Sequence, residues 1–250
     1  MNRNEIIDAI DRGANYYVEL FGRAEHMEIV HREHYSFVRP KGEIFGIRFV
    51  YDVRLDGLPQ EQQRELIAEI KALQMPVWLN LGCSDEVVLL YSGKEKKDPP
   101  VEPSPDGESY MAMLPDEKPD YPPQTGVIEV LTQEEFSQWA GLVNAVLSGG
   151  KADIHPIYHY PLCREGLLRC YMVRNEAGRA ISAAAGAVDK GAVSLEFVAT
   201  LPEHRRQGLA QSVCRRVVDS AFDRGAAIVT VRAVDSKAEA LYHSIGFKRY

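Results

Sequence analysis

Eight of the chain's 14 prolines fall in the 26 residues from Asp98 to Pro123. Proline lacks the N–H that a ladder or helix needs and biases the residue before it away from helix. This stretch therefore reads as an extended linker that divides the chain. The boundaries expected are an N-terminal domain over 1–98, a linker over 99–125 and a C-terminal domain over 126–250. Inside the linker, GESYMAML alternates well enough to pair as a short edge strand. The 250 residues suit two modest domains, and a composition 45% hydrophobic and 26% charged suits a globular chain.

Charge follows the same division. The net charge of −7 is the sum of −9 over residues 1–125 and +2 over 126–250. An acidic first half argues against nucleic acid as the main partner, since phosphate backbones call for basic stripes. Its bland reading is a well-solvated surface; a cationic acceptor and a homodimer contact are the other roles open to it. The N-terminus is too polar for a secretory signal, and no apolar run approaches the roughly 20 residues that span a bilayer, so no membrane partner is expected. Cys83, Cys163, Cys170 and Cys214 are scattered, without a CxxC pair. They read as reduced thiols, and the expected location is the cytoplasm.

Periodicity predicts the elements. Ile6, Ile7, Ile10, Tyr17, Val18 and Phe21 follow a helical rhythm over Asn4–Phe21, with Gly13 as a weak point. HMEIVHREHYSFVRP and EIFGIRFVYDVRL read as strands. LPQEQQRELIAEIKALQ is an amphipathic helix with Pro59 near its first turn, and PVWLNLG is a buried strand. Past the prolines, Thr132 and Glu135 form a capping box for TQEEFSQWAGLVNAVL. LLRCYMVRNEAGRAISAAAGAVDKGAVSLEFVATL holds three strands whose turns, NEAG and DKG, make an antiparallel meander. A helix over about Gln207–Arg224, the strand GAAIVTVRAV, the helix KAEALYHSIGF and a final FKRY strand complete the chain. The order is that of an α+β domain on a mixed sheet.

The exit of the third meander strand, VATLPEHRRQGLAQ, carries the chemistry. A helix N-terminus offers unpaired N–H donors and a positive dipole end, which suits an anion. Gly208 and the small Ala210 let backbone come close to such a group, and Arg205 and Arg206 add charge-assisted bonds or steering. Phosphate loops of the GxxxxGK[ST] and GxGxxG types are absent. The bland alternative is an ordinary strand-to-helix turn with surface arginines.

Two motifs here resemble the GNAT superfamily of N-acetyltransferases. The first is Arg/Gln-x-x-Gly-x-Gly/Ala after a strand, met by Arg205-Arg206-Gln207-Gly208-Leu209-Ala210. The second is Asn-x-x-Ala-x-x-Leu-Tyr-x-x-x-Gly-Phe, met from Asp235 through Ala238, Leu241, Tyr242, Gly246 and Phe247 with aspartate in the asparagine's place. Both residues cap helices, so the exchange is expected to be mild. The resemblance covers about 127–250. It implies a mixed, mostly antiparallel central sheet flanked by helices, preceded here by a smaller α/β N-terminal domain.

It further implies an acyl-CoA-dependent N-acyltransferase, with acetyl-CoA as cosubstrate and no metal. The acceptor expected is a primary amine of a small molecule. The alternatives are a protein or peptide amine, and a CoA-binding module without turnover. Arg205, Arg206, Gln207, Gly208, Leu209, Ala210 and Gln211 would hold the pyrophosphate. The backbone of Val198, Ala199 and Thr200 would pair with the pantetheine arm as a pseudo-strand. Tyr242 matches the family tyrosine that protonates the leaving sulfur; its alternative is an aromatic packed beside Phe247. Glu196 is the candidate base, since period two sets Ser194, Glu196, Val198 and Thr200 on one face and a carboxylate on a core strand is costly unless paired or functional. A salt-bridged Glu196 is the equal alternative. His31 with His34, and His155 with His159, lack a third ligand at metal spacing, and Pro156 is expected to break any helical pairing of the second couple. Residues 1–98 carry neither motif; a decayed second copy of the fold and a private domain are both open.

Overall fold

The computed structural model describes residues 1–42, 46–79, 84, 87, 91, 109–147, 149 and 154–250. By its contacts the chain divides into two compact units, Phe21–Pro105 and Met1–Leu20 together with Asp106–Tyr250. This cut differs from the boundaries expected from the proline run. The first helix goes with the C-terminal unit, and so does much of the stretch read as linker. Cys83 and most of the run EVVLLYSG lie outside the described residues.

The smaller unit holds strands β1 (Met27–His31), β2 (Ser36–Pro40) and β3 (Phe49–Val53), helix α2 (Gln60–Ala72) and strand β4 (Val77–Leu79). The helix preceding β1 is α1 (Arg3–Gly22). β1–β2–β3 is antiparallel and β4 joins β3 in parallel. A parallel neighbour requires a crossover, and α2 supplies it. Ile67 and Ile70 of α2 close over Tyr35, Phe37, Val50, Val53 and Leu55. Tyr35 is the one of these with a polar tip, and its hydroxyl donates to Glu69 Oε1 at 2.6 Å.

The larger unit is built on a seven-stranded sheet in the order β11-β5-β10-β9-β8-β7-β6. Its strands are β5 (Ser109–Met113), β6 (Val127–Glu129), β7 (Leu168–Arg174), β8 (Ala180–Asp189), β9 (Ala192–Thr200), β10 (Ile228–Ala233) and β11 (Lys248–Arg249). Only β9 and β10 run parallel; every other pairing is antiparallel. The mixed, mostly antiparallel sheet flanked by helices is as the sequence predicts. SYMAM does form a strand, but between β10 and β11 and not at an edge. Met111, Ala112 and Met113 are fully buried there. The short apolar alternation outweighs the prolines around it.

Helices α3 (Gln133–Leu147), α4 (Pro156–Arg164), α5 (Leu209–Asp223) and α6 (Ser236–Ser244) flank the sheet. The capping box forms: Glu135 N–H donates to Thr132 Oγ1 at 3.2 Å and Thr132 N–H to Glu135 Oε2 at 3.1 Å. α5 packs on the face of Gly186 and Val193, where a Cβ on Gly186 would stand 2.8 Å from Val193 and 3.2 Å from Val217. α3 and α1 take the opposite face. Trp139 of α3 and Tyr17 of α1 both meet Phe197 edge-on, at 5.7 and 5.9 Å. Gly13 of α1 lies where any Cβ would clash with Thr230 Oγ1, 2.5 Å away. The weak point in the helical rhythm is thus where α1 comes close to β10.

Helix α4 runs against expectation, because two of its nine residues are proline. Pro156 sits at its first turn, where a missing N–H costs nothing. His155 caps the helix from outside, and His155 N–H donates to His159 Nδ1 at 2.9 Å. Pro156 therefore begins a helical pairing of His155 and His159, where the sequence alone predicts a break.

Candidate active site

β9 and β10 pair from Ala192/Ile228 to Leu195/Val231 and then part, while β9 continues to Thr200. Beyond Leu195 the β10-facing edge of β9 has no strand partner among the described residues. A bulge marks the parting. Ala185 faces Glu196 and Ala183 faces Ala199, so Phe197 and Val198 together oppose Ala184. Phe197 takes the left-handed φ of 56°. A bulge of this kind bends a strand and re-aims its side chains. The Ala184 carbonyl, without a register partner in β9, accepts from the Trp139 indole at 3.2 Å.

The bulge corrects one reading. Across an antiparallel ladder, paired residues share a face. Ser194 and Glu196 pair with Ala187 and Ala185, whereas Thr200 pairs with Ser182. Glu196 and Thr200 therefore point to opposite faces, and Ser194, Glu196, Val198 and Thr200 do not form one row. Leu201 N–H donates to Ile181 O on the β8 side, so by alternation the backbone of Thr200 and Val198 turns to the open edge and that of Ala199 toward β8.

After β9 the chain makes a short 3₁₀ turn at Pro202–His204 and enters α5. Arg205 donates from Nε to Thr200 O at 3.2 Å, tying the turn to the strand end. Arg206 and Gly208 both have left-handed backbone, with φ of 65° and 77°. The first backbone bond of α5 runs from Ser212 N–H to Gly208 O at 3.0 Å. The N–H groups of Leu209, Ala210 and Gln211 come before it and find no acceptor inside the helix. Arg205, Arg206, Gln207 and Gly208 are exposed, and Leu209, Ala210 and Gln211 are half-buried. The space over Gly208 is open: a Cβ there would meet nothing nearer than Gln211 Oε1 at 3.9 Å. Val213, Val217 and Ala221 hold the other side of α5 in the core. The arginines and the N–H groups at the helix start give this turn a positive face that could hold an anion.

Tyr242 is presented by α6. Asp235 caps that helix as expected, its Oδ1 accepting from Ala238 N–H at 2.7 Å. Gln211 Nε2 donates to Ser244 Oγ at 2.7 Å and so ties the start of α5 to the end of α6. Tyr242 is 6% exposed and meets Phe247 edge-on at 6.0 Å. Burial, then the nearby Cys214 thiol and the Glu196 and Asp235 carboxylates, raises its phenol far above the usual range. Both Tyr242 and Glu196 therefore belong to one neighbourhood at the parting of β9 and β10.

Glu196 is half-buried, and its carboxyl is pushed up to about 7 by desolvation. A hydrogen bond from Ser194 and the charge of Arg232 pull the other way and only partly offset this. Arg232 is the residue that sequence reasoning missed. Arg232 follows Val231, the last residue of β10 paired with β9, and its charge reaches Glu196 where the two strands part. A charge inside IVTVRA was the available signal; the parallel pairing that gives it meaning was not. The two histidine couples lie elsewhere: His31 meets Ser36, and His159 is spent on the start of α4. No group of three or more His, Cys, Asp or Glu that could hold a metal occurs among the described residues.

Residues 173–250 match the family described as FR47-like protein. A GCN5-related N-acetyltransferase from Kribbella flavida shares the fold with a TM-score of 0.57 at 18% identity, over 95% of this chain and 91% of that one. The chain shares the fold of GCN5-related N-acetyltransferases. A GCN5-related N-acetyltransferase-like protein from Streptococcus suis 89/1591 aligns over 100% of this chain and 96% of that one, at 12% identity and a TM-score of 0.49. A search of curated proteins finds no match. Within the larger unit the family match spans the meander from β8 onward, the Arg205–Ala210 turn and Tyr242. No helix among the described residues is long and apolar enough to cross a membrane.

Proposed function

We propose that the larger unit transfers an acetyl group from acetyl-CoA to a primary amine of a small molecule. The observation that carries this reading is the parting of β9 from β10 at Leu195/Val231, continuous with the open turn at Arg205–Ala210. A ligand with an amide-bearing arm and a pyrophosphate needs both, in that order along the chain. Val198 and Thr200 would bond the arm as a strand does, with Ala199 holding the register from the β8 side. Arg206, Gln207, Gly208 and the N–H groups of Leu209, Ala210 and Gln211 would bind the pyrophosphate, with Arg205 fixing the turn.

In the transfer, the amine nitrogen bonds to the thioester carbon and the C–S bond breaks. The nitrogen must give up a proton, and the thiolate must gain one. Glu196 takes the first, directly or through a water, because a carboxyl near 7 is substantially ionised at neutral pH yet basic enough to accept. Tyr242 serves the sulfur. Its raised phenol keeps the proton at any working pH, which suits a hydrogen bond to the developing thiolate better than outright release. Arg232 tempers the base and keeps it from rising further.

Support for a small acceptor comes from the surroundings of the base. Glu196 is desolvated and followed by Phe197, which meets Trp139 and Tyr17 edge-on. Such walls favour a compact, partly apolar amine over an extended peptide groove. Calorimetric titration with acetyl-CoA, followed by turnover across a panel of small primary amines and lysine peptides, tests the reading. Binding of acetyl-CoA with turnover on small amines is expected; failure to bind any acyl-CoA overturns it.

A further inference from the structure

At the far end of α5 from the Arg205–Ala210 turn lies a cavity of about 190 Å³. At 1.5 Å per residue, α5 sets the two some 20 Å apart, by roughly its own length. The inner wall is apolar, from Gly186, Val193, Val217 and Ala221. Its basic mouth is formed by the partly exposed Arg169 and Arg224, with the buried hydroxyls of Tyr171 and Ser220 behind them. None of these residues belongs to the acyl-CoA machinery.

The charges at the mouth do not balance. Arg169 Nη1 and Arg224 Nη2 share one carboxylate oxygen, Glu129 Oε1, at 3.8 and 3.4 Å. Charge-assisted bonds close to about 2.7–2.9 Å, so both pairings are loose. Arg224 Nε spends one further donor on Ser220 Oγ at 3.2 Å, and Tyr171 donates to the same oxygen at 2.6 Å. Two guanidiniums against one carboxylate leave a net positive rim over an apolar chamber. A pocket takes its body from the walls and its orientation from a few convergent polar groups.

We propose that this cavity is a second small-molecule site, and that it takes a short branched aliphatic carboxylate. The alkyl body fills the chamber against Val193, Val217 and Ala221. The carboxylate sits between Arg169 and Arg224 and supplies the acceptors that Glu129 alone does not.

The test uses the full chain, ¹⁵N-labelled, titrated with 3-methylbutanoate. Saturable shifts are expected at the amides of Gly186, Gly191 and Gly225, with Gly208 unmoved. The neutral isostere 3-methylbutanamide should bind at least about tenfold more weakly, the scale of a lost charge-assisted bond. The double variant Arg169→Gln/Arg224→Gln should weaken the acid by about tenfold or more while acetyl-CoA affinity holds. Equal binding of acid and amide, tighter binding of 3-methylbutylamine, or competition by inorganic phosphate at equal strength would each overturn the assignment. These comparisons run on the unaltered protein, so they decide the matter even where the double variant folds poorly.

Discussion

Glu196 stands on a strand otherwise made of Ala, Val, Ser, Leu, Phe and Thr, and its carboxyl is lifted to about 7 by the loss of water. If Glu196 is the base, as proposed, the ionised form is the active one, so kcat/KM should climb with pH through about 7 and be low where the carboxyl is protonated. Glu196→Gln should abolish that limb and cost roughly 10²-fold or more in kcat/KM, with acetyl-CoA affinity unchanged. The same lift has a stability cost of known sign. A carboxyl whose folded pKa is raised favours the protonated fold, so stability falls as pH rises from the ordinary 4.5 through about 7. Glu196→Gln should therefore melt higher than the parent at pH 8, by no more than roughly 3 kcal/mol. At this scale the sequence was informative wherever a polar residue interrupts an apolar element. Glu196 was singled out in this way, and Tyr242 through the family motif. Arg232 interrupts its strand just as plainly, but its meaning depends on which strand lies alongside.

Elements set these residues in place through a bulge and a turn. Trp139 is fully buried and supplies the hydrogen bond that the bulge denies Ala184. Trp139→Ala should cost roughly 3–5 kcal/mol in chemical denaturation, as large aromatic deletions do. Gly208 has φ of 77°, a region that costs other residues about 1–2 kcal/mol. Gly208→Glu adds bulk and negative charge over the open turn. It should lower the melting temperature modestly and weaken acetyl-CoA binding by tenfold or more in calorimetry; undiminished affinity would remove the turn from the site. Helices with clean periodicity were legible, and so was the meander, because NEAG and DKG punctuate it. Two features were not. The bulge at Phe197 leaves no trace in an alternating strand, and it inverts the facing of the strand residues beyond it. Helix α4 was hidden by prolines that a first turn accepts and a helix interior does not.

Across the whole molecule, one cut between the compact units falls inside the proline run, at Pro105, and the other falls within α1, after Leu20. Helix α1 packs its Ala9 and Gly13 side toward Ala187, Ser194 and Thr230, on the sheet of the larger unit. A chain lacking residues 1–20 should therefore melt several degrees lower and bind a hydrophobic dye on the bared β9–β10 face, whereas a clean boundary near residue 98 would predict no such loss. Which surface an amphipathic helix covers is a matter of tertiary complementarity, and a single sequence does not encode it legibly. The smaller unit repeats the larger one's order in miniature: three antiparallel strands, a helix, a parallel strand. Asp52 in β3 even shares the left-handed backbone of Phe197 in β9. Its strand-to-helix turn, however, bears Asp56, with Glu61 in the first turn of α2, where the larger unit has Arg205 and Arg206 ahead of its helix, a poor start for binding phosphate. The position of β5 bears on how the protein is made. Met113 leaves the ribosome 115 residues before Ile228, the first residue of the strand it must lie against. At roughly 5–20 residues per second, that is a wait of about 6–23 s with an apolar strand unsheltered. During translation, the seam that closes the sheet last is the one whose first half is synthesised earliest, and a cell producing this protein must keep that strand from finding another chain's edge in the meantime.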